Sequence, residues 1–248
     1  MAAQVKQRGG LLFTEAAIPT TEREMSQSDG WTLWDPWASY RQTTRSAPAV
    51  LWHLWFPYET ITGVDPTLRA AWIKAGTPPA IAWSAFPRLQ WQLGQARLEW
   101  IPRDWALRAV RIHIVLHDML PSDAQRARTV LVEALGKGRD FIAADGLADS
   151  KGAVFYIQDS KHVASPGESA VLEPFAVAHV LLPQRALIQL YRDGQLCAQR
   201  EGRSATWTIR APGRYHMEVR LWRGGHSRLW ILSNAVQVQS TTTVDSDS

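Results

Sequence analysis

Cysteine is nearly absent from this chain of 248 residues, in which Cys197 is the single thiol. One thiol excludes an internal disulfide, and it also excludes a zinc site built on cysteines. Proteins in reducing compartments rarely hold disulfides, so the count fits an intracellular setting. Cys197 itself is expected to be a small apolar filler in a strand.

Long apolar segments are also missing. No run approaches the ~20 residues of a membrane-spanning helix, and residues 1–10 are polar where a signal peptide needs an apolar segment. The sequence therefore predicts a soluble, cytoplasmic protein without a membrane partner.

Clustered positive charge is the third absence. The net charge is +4 and the pI is about 9.5, but the arginines that carry this charge are scattered along the whole chain. Proteins that bind nucleic acids usually show a basic stripe or a known module. The sequence has neither, so no nucleic-acid partner is expected.

The chain does contain enough apolar material for a core. Hydrophobic residues make up 46% of it and charged residues 20%, which excludes a disordered chain. Ten of the 13 tryptophans precede residue 106. Large amphipathic rings suit either a core wall or an exposed binding surface, and we favour core packing.

The pattern of residues 1–148 predicts an α/β portion. Strand signals occur at residues 9–13, at the start of residues 30–42, at 80–82 and 107–116, and between Gly138 and residue 144. Helix signals begin at Asp35, span residues 68–76, and run from Ser122 to Gly136 or Gly138. Strands alternating with helices are typical of a layered or barrel-like α/β unit.

Residues 149–239 follow a different pattern, which predicts an antiparallel β-sandwich. Short alternating strands are separated by Asp-Gly, Pro-Gly and Gly-Gly turns. "YRDGQL", residues 191–196, is the clearest hairpin. Residues 240–248 consist of Ser, Thr, Val and Asp and are predicted to form a disordered tail.

Three stretches resemble PHP-domain metal-dependent hydrolases of the CehA/McbA type. "APGRYHMEVRLWRGGHSRLWILSNAVQV", residues 211–238, resembles the closing segment of that family's β-sandwich. Residues 130–158 resemble its last barrel helix and the crossing into the sandwich, and "GWTLWDPWASYRQ", residues 30–42, resembles a strand followed by a helix. The resemblance implies a partial, distorted β/α barrel for residues 1–148.

The same resemblance implies metal loops that this sequence does not preserve. The family holds two or three divalent metals with His, Asp and Glu and hydrolyses phosphate or other esters. Its late Gly-Xaa-Asp-Xaa-His loop falls on residues 82–86, where Trp83, Ser84, Ala85 and Phe86 stand. Its amino-terminal His-Xaa-His pair has no counterpart, because the first histidine is His53. Filling the void with aromatic rings requires less desolvation than burying unpaired carboxylates there.

The remaining candidates for a metal site are few. Glu15, His53 and Asp65 are weak candidate ligands, each with a capping, solvated or core role as the simpler interpretation. His113 and His117 are four residues apart, but on a strand this spacing separates them by about 13 Å. We therefore predict structural or surface roles for both.

The sequence thus predicts a shortened, catalytically inactive relative of PHP-type hydrolases that acts, if at all, in binding or assembly, with no catalytic residues and no cofactor. One alternative is an active hydrolase of esters or phosphoesters, using Mn, Zn or Fe on unrecognised ligands or a separately encoded amino-terminal half. Another is a ligand-binding β-sandwich module. Unpaired strand edges of an incomplete barrel predict a homo-oligomer or a partner chain that covers them.

Overall fold

A computed structural model of the protein describes residues 109–223 and 225–240 continuously, together with six separate elements before residue 109. These early elements are β1 (Phe13–Thr14), β2 (Gly30–Trp34), α1 (Pro66–Ala75), β3 (Ala80–Ala82), β4 (Gln90–Leu93) and β5 (Ala96–Glu99). Strands β1, β2 and β3 form a parallel sheet in that order, and β4 and β5 form an antiparallel hairpin. The strand predicted at 80–82 is confirmed, whereas the hairpin over residues 90–99 was not predicted.

The later part of the chain is dominated by one antiparallel sheet. Its elements are β6 (Arg111–Ile114), α2 (Ala124–Gly136), β7 (Asp140–Ala143), β8 (Val154–Gln158), β9 (Val163–Ala164), β10 (Ser169–Leu172), β11 (Ala176–Arg192), β12 (Gln195–Ile209), β13 (Gly213–Arg223), β14 (His226–Ser233) and β15 (Val236–Ser240). The main path of the ten-stranded sheet is β6-β7-β14-β13-β11-β8-β9. Strand β12 pairs with β11, and β15 pairs with β13 and β10. The described fold is therefore β-rich, with few helices.

Strand β11 links two parts of this sheet. Its first half pairs with β8 and its second half pairs with β13, while β12 follows it along both halves. The β11–β12 register shifts between Leu181 and Ala186, around Pro183. Proline lacks the N–H that a regular ladder needs, so it is found in strands at such irregularities, and bulges let a strand pass from one layer to another.

Strands β6 and β7 belong to this sheet, although they precede residue 148. They pair antiparallel with each other, and β7 pairs antiparallel with β14. A β/α barrel joins its strands in parallel, so this strand-helix-strand unit does not have the pairing that the α/β prediction implied. The reason is that β7 completes a ladder with β14, a pairing more than 80 residues distant along the chain, which local periodicity does not reveal.

Helix α2 follows the predicted signals closely. The Asp123 carboxylate accepts the N–H of Arg126 at 2.8 Å and caps the helix, which ends at Gly136. Gly138 has a φ of 71° and turns the chain into β7.

The core contains residues from the ten-stranded sheet and from α1. Trp72 of α1 and Trp230 of β14 have no exposed surface and belong to the same apolar cluster as Ile142 and Ile157. Cys197, predicted as a filler, is exposed because β12 pairs only with β11 among the described strands. Ser240, predicted to begin the tail, is the last residue of β15. In the described part of the chain, neither helix has the length and apolar character required to cross a bilayer.

Candidate functional site

The residues predicted to mark a degenerate metal rim, Trp83, Ser84, Ala85 and Phe86, lie outside the described residues. The same is true of the weak metal candidates Glu15, His53 and Asp65. Among the residues that are described, no three His, Cys, Asp or Glu side chains are grouped so that they could hold a metal ion.

His113 and His117 have different carboxylate partners. His113 Nε2 lies 2.9 Å from Asp145 Oδ2, and His117 Nε2 lies 2.7 Å from Glu168 Oε1. Because each histidine contacts its own carboxylate, the two do not act as a pair, which agrees with the structural and surface roles predicted for them. Burial would raise the pKa of Glu168, but the hydrogen bonds from His117 and from the Ser165 N–H hold it below its usual value.

The His113, Asp145 and Ser150 side chains form a polar cluster at the end of β6. Ser150 Oγ donates to Asp145 Oδ1 at 2.6 Å and lies 3.0 Å from His113 Nε2. A catalytic Ser-His-Asp triad uses the two ring nitrogens separately. Here Nε2 faces both partners and Ser150 has no exposed surface, so the cluster ties the loop after β7 to β6. Burial would raise the pKa of Asp145, but His113 and Ser150 together lower it.

One candidate for binding is an apolar cavity of about 230 Å³ among strands of the ten-stranded sheet. One wall is a row of cross-strand neighbours: Phe141 of β7 pairs with Ser233 of β14, and the Met217 N–H donates to Ser233 Oγ at 2.8 Å. The other wall is formed by β8 and β9 and by the loop that follows β9. The full lining is Val115, Phe141, Ala153, Val154, Phe155, Tyr156, Val163, Ser165, Pro166, Met217 and Ser233.

This cavity extends from the surface into the core. Val154 and Val163 are 43% and 50% exposed, whereas Met217 and Ser233 are 1% and 0% exposed. A molecule that enters beside the two valines therefore reaches the buried face of β13 and β14. None of the described lining residues carries a charge.

The loop after β9 forms part of the cavity wall and is anchored by Gly167. Gly167 has a φ of 83°, and its N–H donates to Ala235 O at 2.8 Å. A Cβ at this position would lie 2.1 Å from Lys137 O and 2.6 Å from Gly138 C. Glycine is therefore required both for the backbone conformation and for the close approach to the end of α2.

We expect Gly167→Ala to lower the free energy of unfolding by about 2 to 3 kcal/mol, through left-handed strain and overpacking together. Gly152→Ala is the matched control, since Gly152 has a φ of 88° and no atom within 4 Å of the added Cβ. The control is expected to lose about 1 kcal/mol from strain alone. Urea denaturation of both variants provides the measurement, and equal losses would contradict the close packing at Gly167.

Asn234 connects the end of the cavity wall to β7. Its Nδ2 donates to Asp140 Oδ1 at 2.5 Å, and the other carboxylate oxygen of Asp140 has no hydrogen-bond partner among the described residues. Asp140 has no exposed surface, and this burial raises its pKa to about 7 despite the bond from Asn234. Ser233 and Asn234 thus place the "LSN" of the closing segment beside the cavity.

A second polar cluster joins α1 to the opposite face of the sheet. Arg69 Nε donates to Glu218 Oε1 at 2.6 Å, and Arg69 Nη2 contacts the same oxygen. Tyr191 stacks on His216 at 5.0 Å, and Trp72 meets His216 edge-on at 5.5 Å. Burial would raise the pKa of Glu218, but His216 and Arg69 outweigh it and keep the pKa below its usual value.

Sequence reasoning missed both the cavity and the cluster under α1. A signal for the cluster was present, because His216, Glu218 and Arg220 alternate with Met217, Val219 and Leu221 along β13. Alternation in a strand places the two sets on opposite faces. The cavity had no comparable signal, because its lining comes from six separated segments of the chain.

No protein-family model, curated protein or solved structure matches this chain.

Proposed function

We propose that this protein is a non-catalytic relative of PHP-type hydrolases that binds a small, largely apolar molecule in the cavity of its β-sandwich. The observation that carries the proposal is the cavity itself, which combines a buried apolar end with an opening beside Val154 and Val163. The proposal unites two of the interpretations of the sequence, descent from a hydrolase and ligand binding by the sandwich.

The size of the cavity supports binding. An apolar cavity of about 150 Å³ holds a molecule such as benzene, and this one measures about 230 Å³. A ligand that fills the space removes apolar lining from water, which is favourable by roughly 25 cal/mol per Å² of apolar surface buried.

The proposed descent rests on the resemblance of these stretches of sequence. Residues 130–158 form the end of α2, β7 and β8, and residues 211–238 form β13, β14 and most of β15. The parallel sheet of β1, β2 and β3 is compatible with part of a barrel. The antiparallel pairing of β6 with β7 differs from the parallel pairing of strands in a β/α barrel, so these two strands do not belong to the proposed partial barrel.

Filling the cavity is the direct test. Ala153 is partly buried in the lining, so Ala153→Phe places a ring inside the space. We expect this variant to bind acetophenone at least about tenfold more weakly than the unmodified protein, because steric overlap removes the volume that the ligand needs. Titration by ligand-observed NMR measures the dissociation constants, with glucose as a polar compound that is expected not to bind.

Ala124→Phe is the matched control, since Ala124 is exposed at the start of α2. The control is expected to bind acetophenone like the unmodified protein. Failure of the unmodified protein to bind acetophenone at millimolar concentration, or equal binding by Ala153→Phe, would overturn the proposal. Stoichiometric, tightly held Mn, Zn or Fe, or phosphoesterase activity in Mn²⁺ or Zn²⁺, would instead favour the active hydrolase.

The proposal also includes the cellular compartment of the protein and its assembly with other chains. We place the protein in the cytoplasm because of its single thiol. We propose that a second copy or a partner chain covers exposed apolar residues such as Phe175 and Leu181, which are 51% and 54% exposed. We propose no nucleic acid and no membrane as a binding partner.

A further inference from the structure

The buried hydroxyl of Ser233 has donor capacity that the protein does not use. A serine hydroxyl can accept and donate hydrogen bonds at the same time. Ser233 Oγ accepts the Met217 N–H at 2.8 Å, and within residues 109–223 and 225–240 no acceptor receives its proton. Because Ser233 is fully buried and lines the cavity, this proton is available to a molecule inside it.

The rest of the lining limits the chemistry of such a molecule. Phe141 and Phe155 supply aromatic surface, and aromatic rings pack favourably against one another with offset or edge-to-face geometry. A charged group would enter without a partner, since the described lining contains no cation or anion. The volume is about half as large again as a cavity that holds benzene, which leaves room for one short substituent.

Resting on the function proposed above, we propose that the ligand is a small neutral aromatic compound with one oxygen acceptor, and that Ser233 donates the hydrogen bond that selects it. The acceptor is a carbonyl, ether or phenol oxygen at the deep end of the cavity. The ring occupies the space between Phe141 and Phe155. Ser165 and Tyr156 also carry hydroxyl groups in the lining, and neither is required for the selection.

A pair of isosteric ligands tests this inference. Acetophenone and α-methylstyrene have the same shape, but only acetophenone carries an acceptor oxygen. We expect the unmodified protein to bind acetophenone about threefold to tenfold more tightly, which is the ratio that one neutral hydrogen bond supplies. Ser233→Ala is expected to bring the ratio close to one, and Ser165→Ala, the matched control, is expected to preserve it.

Ser233→Ala also removes the acceptor of the Met217 N–H, so a second measurement uses the unmodified protein alone. Acetophenone labelled with ¹³C at its carbonyl is expected to resonate downfield of its position in cyclohexane when bound, because a donated hydrogen bond deshields that carbon. Equal affinities for the two ligands, an unshifted carbonyl resonance, or loss of the ratio in Ser165→Ala would each overturn the inference while leaving the proposed function in place. If neither ligand binds, the proposed function fails as well.

Discussion

Replacing Trp230 with alanine is expected to lower the free energy of unfolding by about 4 kcal/mol, the largest loss predicted for this protein. Trp230 has no exposed surface, and its Nε1 donates to Ala148 O at 2.8 Å. The variant therefore loses a large buried side chain and also leaves a carbonyl of the loop after β7 without its partner. Urea denaturation followed by circular dichroism provides the measurement.

Trp222→Ala is the matched control, because Trp222 lies on the neighbouring strand β13 and is 73% exposed. Its replacement is expected to change the free energy of unfolding by no more than about 0.5 kcal/mol. A loss of less than about 1 kcal/mol in Trp230→Ala would show that this side chain is not packed as described.

The second large effect concerns Asp140 and develops as the pH rises from about 4 to about 7. Burial raises the pKa of Asp140 to about 7 from its usual 3.8. Between these two values the folded protein holds a proton that the unfolded chain has released. Stability from this group is therefore complete below about pH 4 and is lost as the pH rises through about 7. A shift of this size corresponds to about 4 kcal/mol.

Asp140→Asn keeps the shape of the protonated acid and cannot ionise. We expect the variant to exceed the unmodified protein in free energy of unfolding by about 4 kcal/mol at pH 8 and by less than about 1 kcal/mol at pH 4. Asp118→Asn, at an exposed position, is the matched control. A stability difference between Asp140→Asn and the unmodified protein that is the same at both pH values would contradict the buried, proton-binding state of Asp140.

Local features were predictable from the sequence because they depend on few neighbouring residues. The Asp193-Gly194 turn has φ values of 49° and 83°, as the dipeptide between two alternating runs indicates. The cap at Asp123 and the end of α2 at Gly136 also follow from residues within one turn of the helix. The hairpin and the helix were therefore predicted close to their observed bounds.

Long-range pairing was not predictable in the same way. The sequence shows that residues 140–143 form a strand, but only the tertiary fold shows that they pair with β14. The cluster of His113, Asp145 and Ser150 joins residues up to 37 positions apart in the chain. Contacts at such separation are set by the topology of the sheet, which periodicity and turn signals leave open.

Strand β11 connects the two sides of the proposed binding cavity. A single unbroken strand is hydrogen-bonded to β8 before Pro183 and to β13 after it, so strands that contribute to both walls share one continuous neighbour. Val154 and Val163, at the opening, are 43% and 50% exposed. A ligand of the proposed kind would therefore enter beside these two valines without any strand having to leave the sheet.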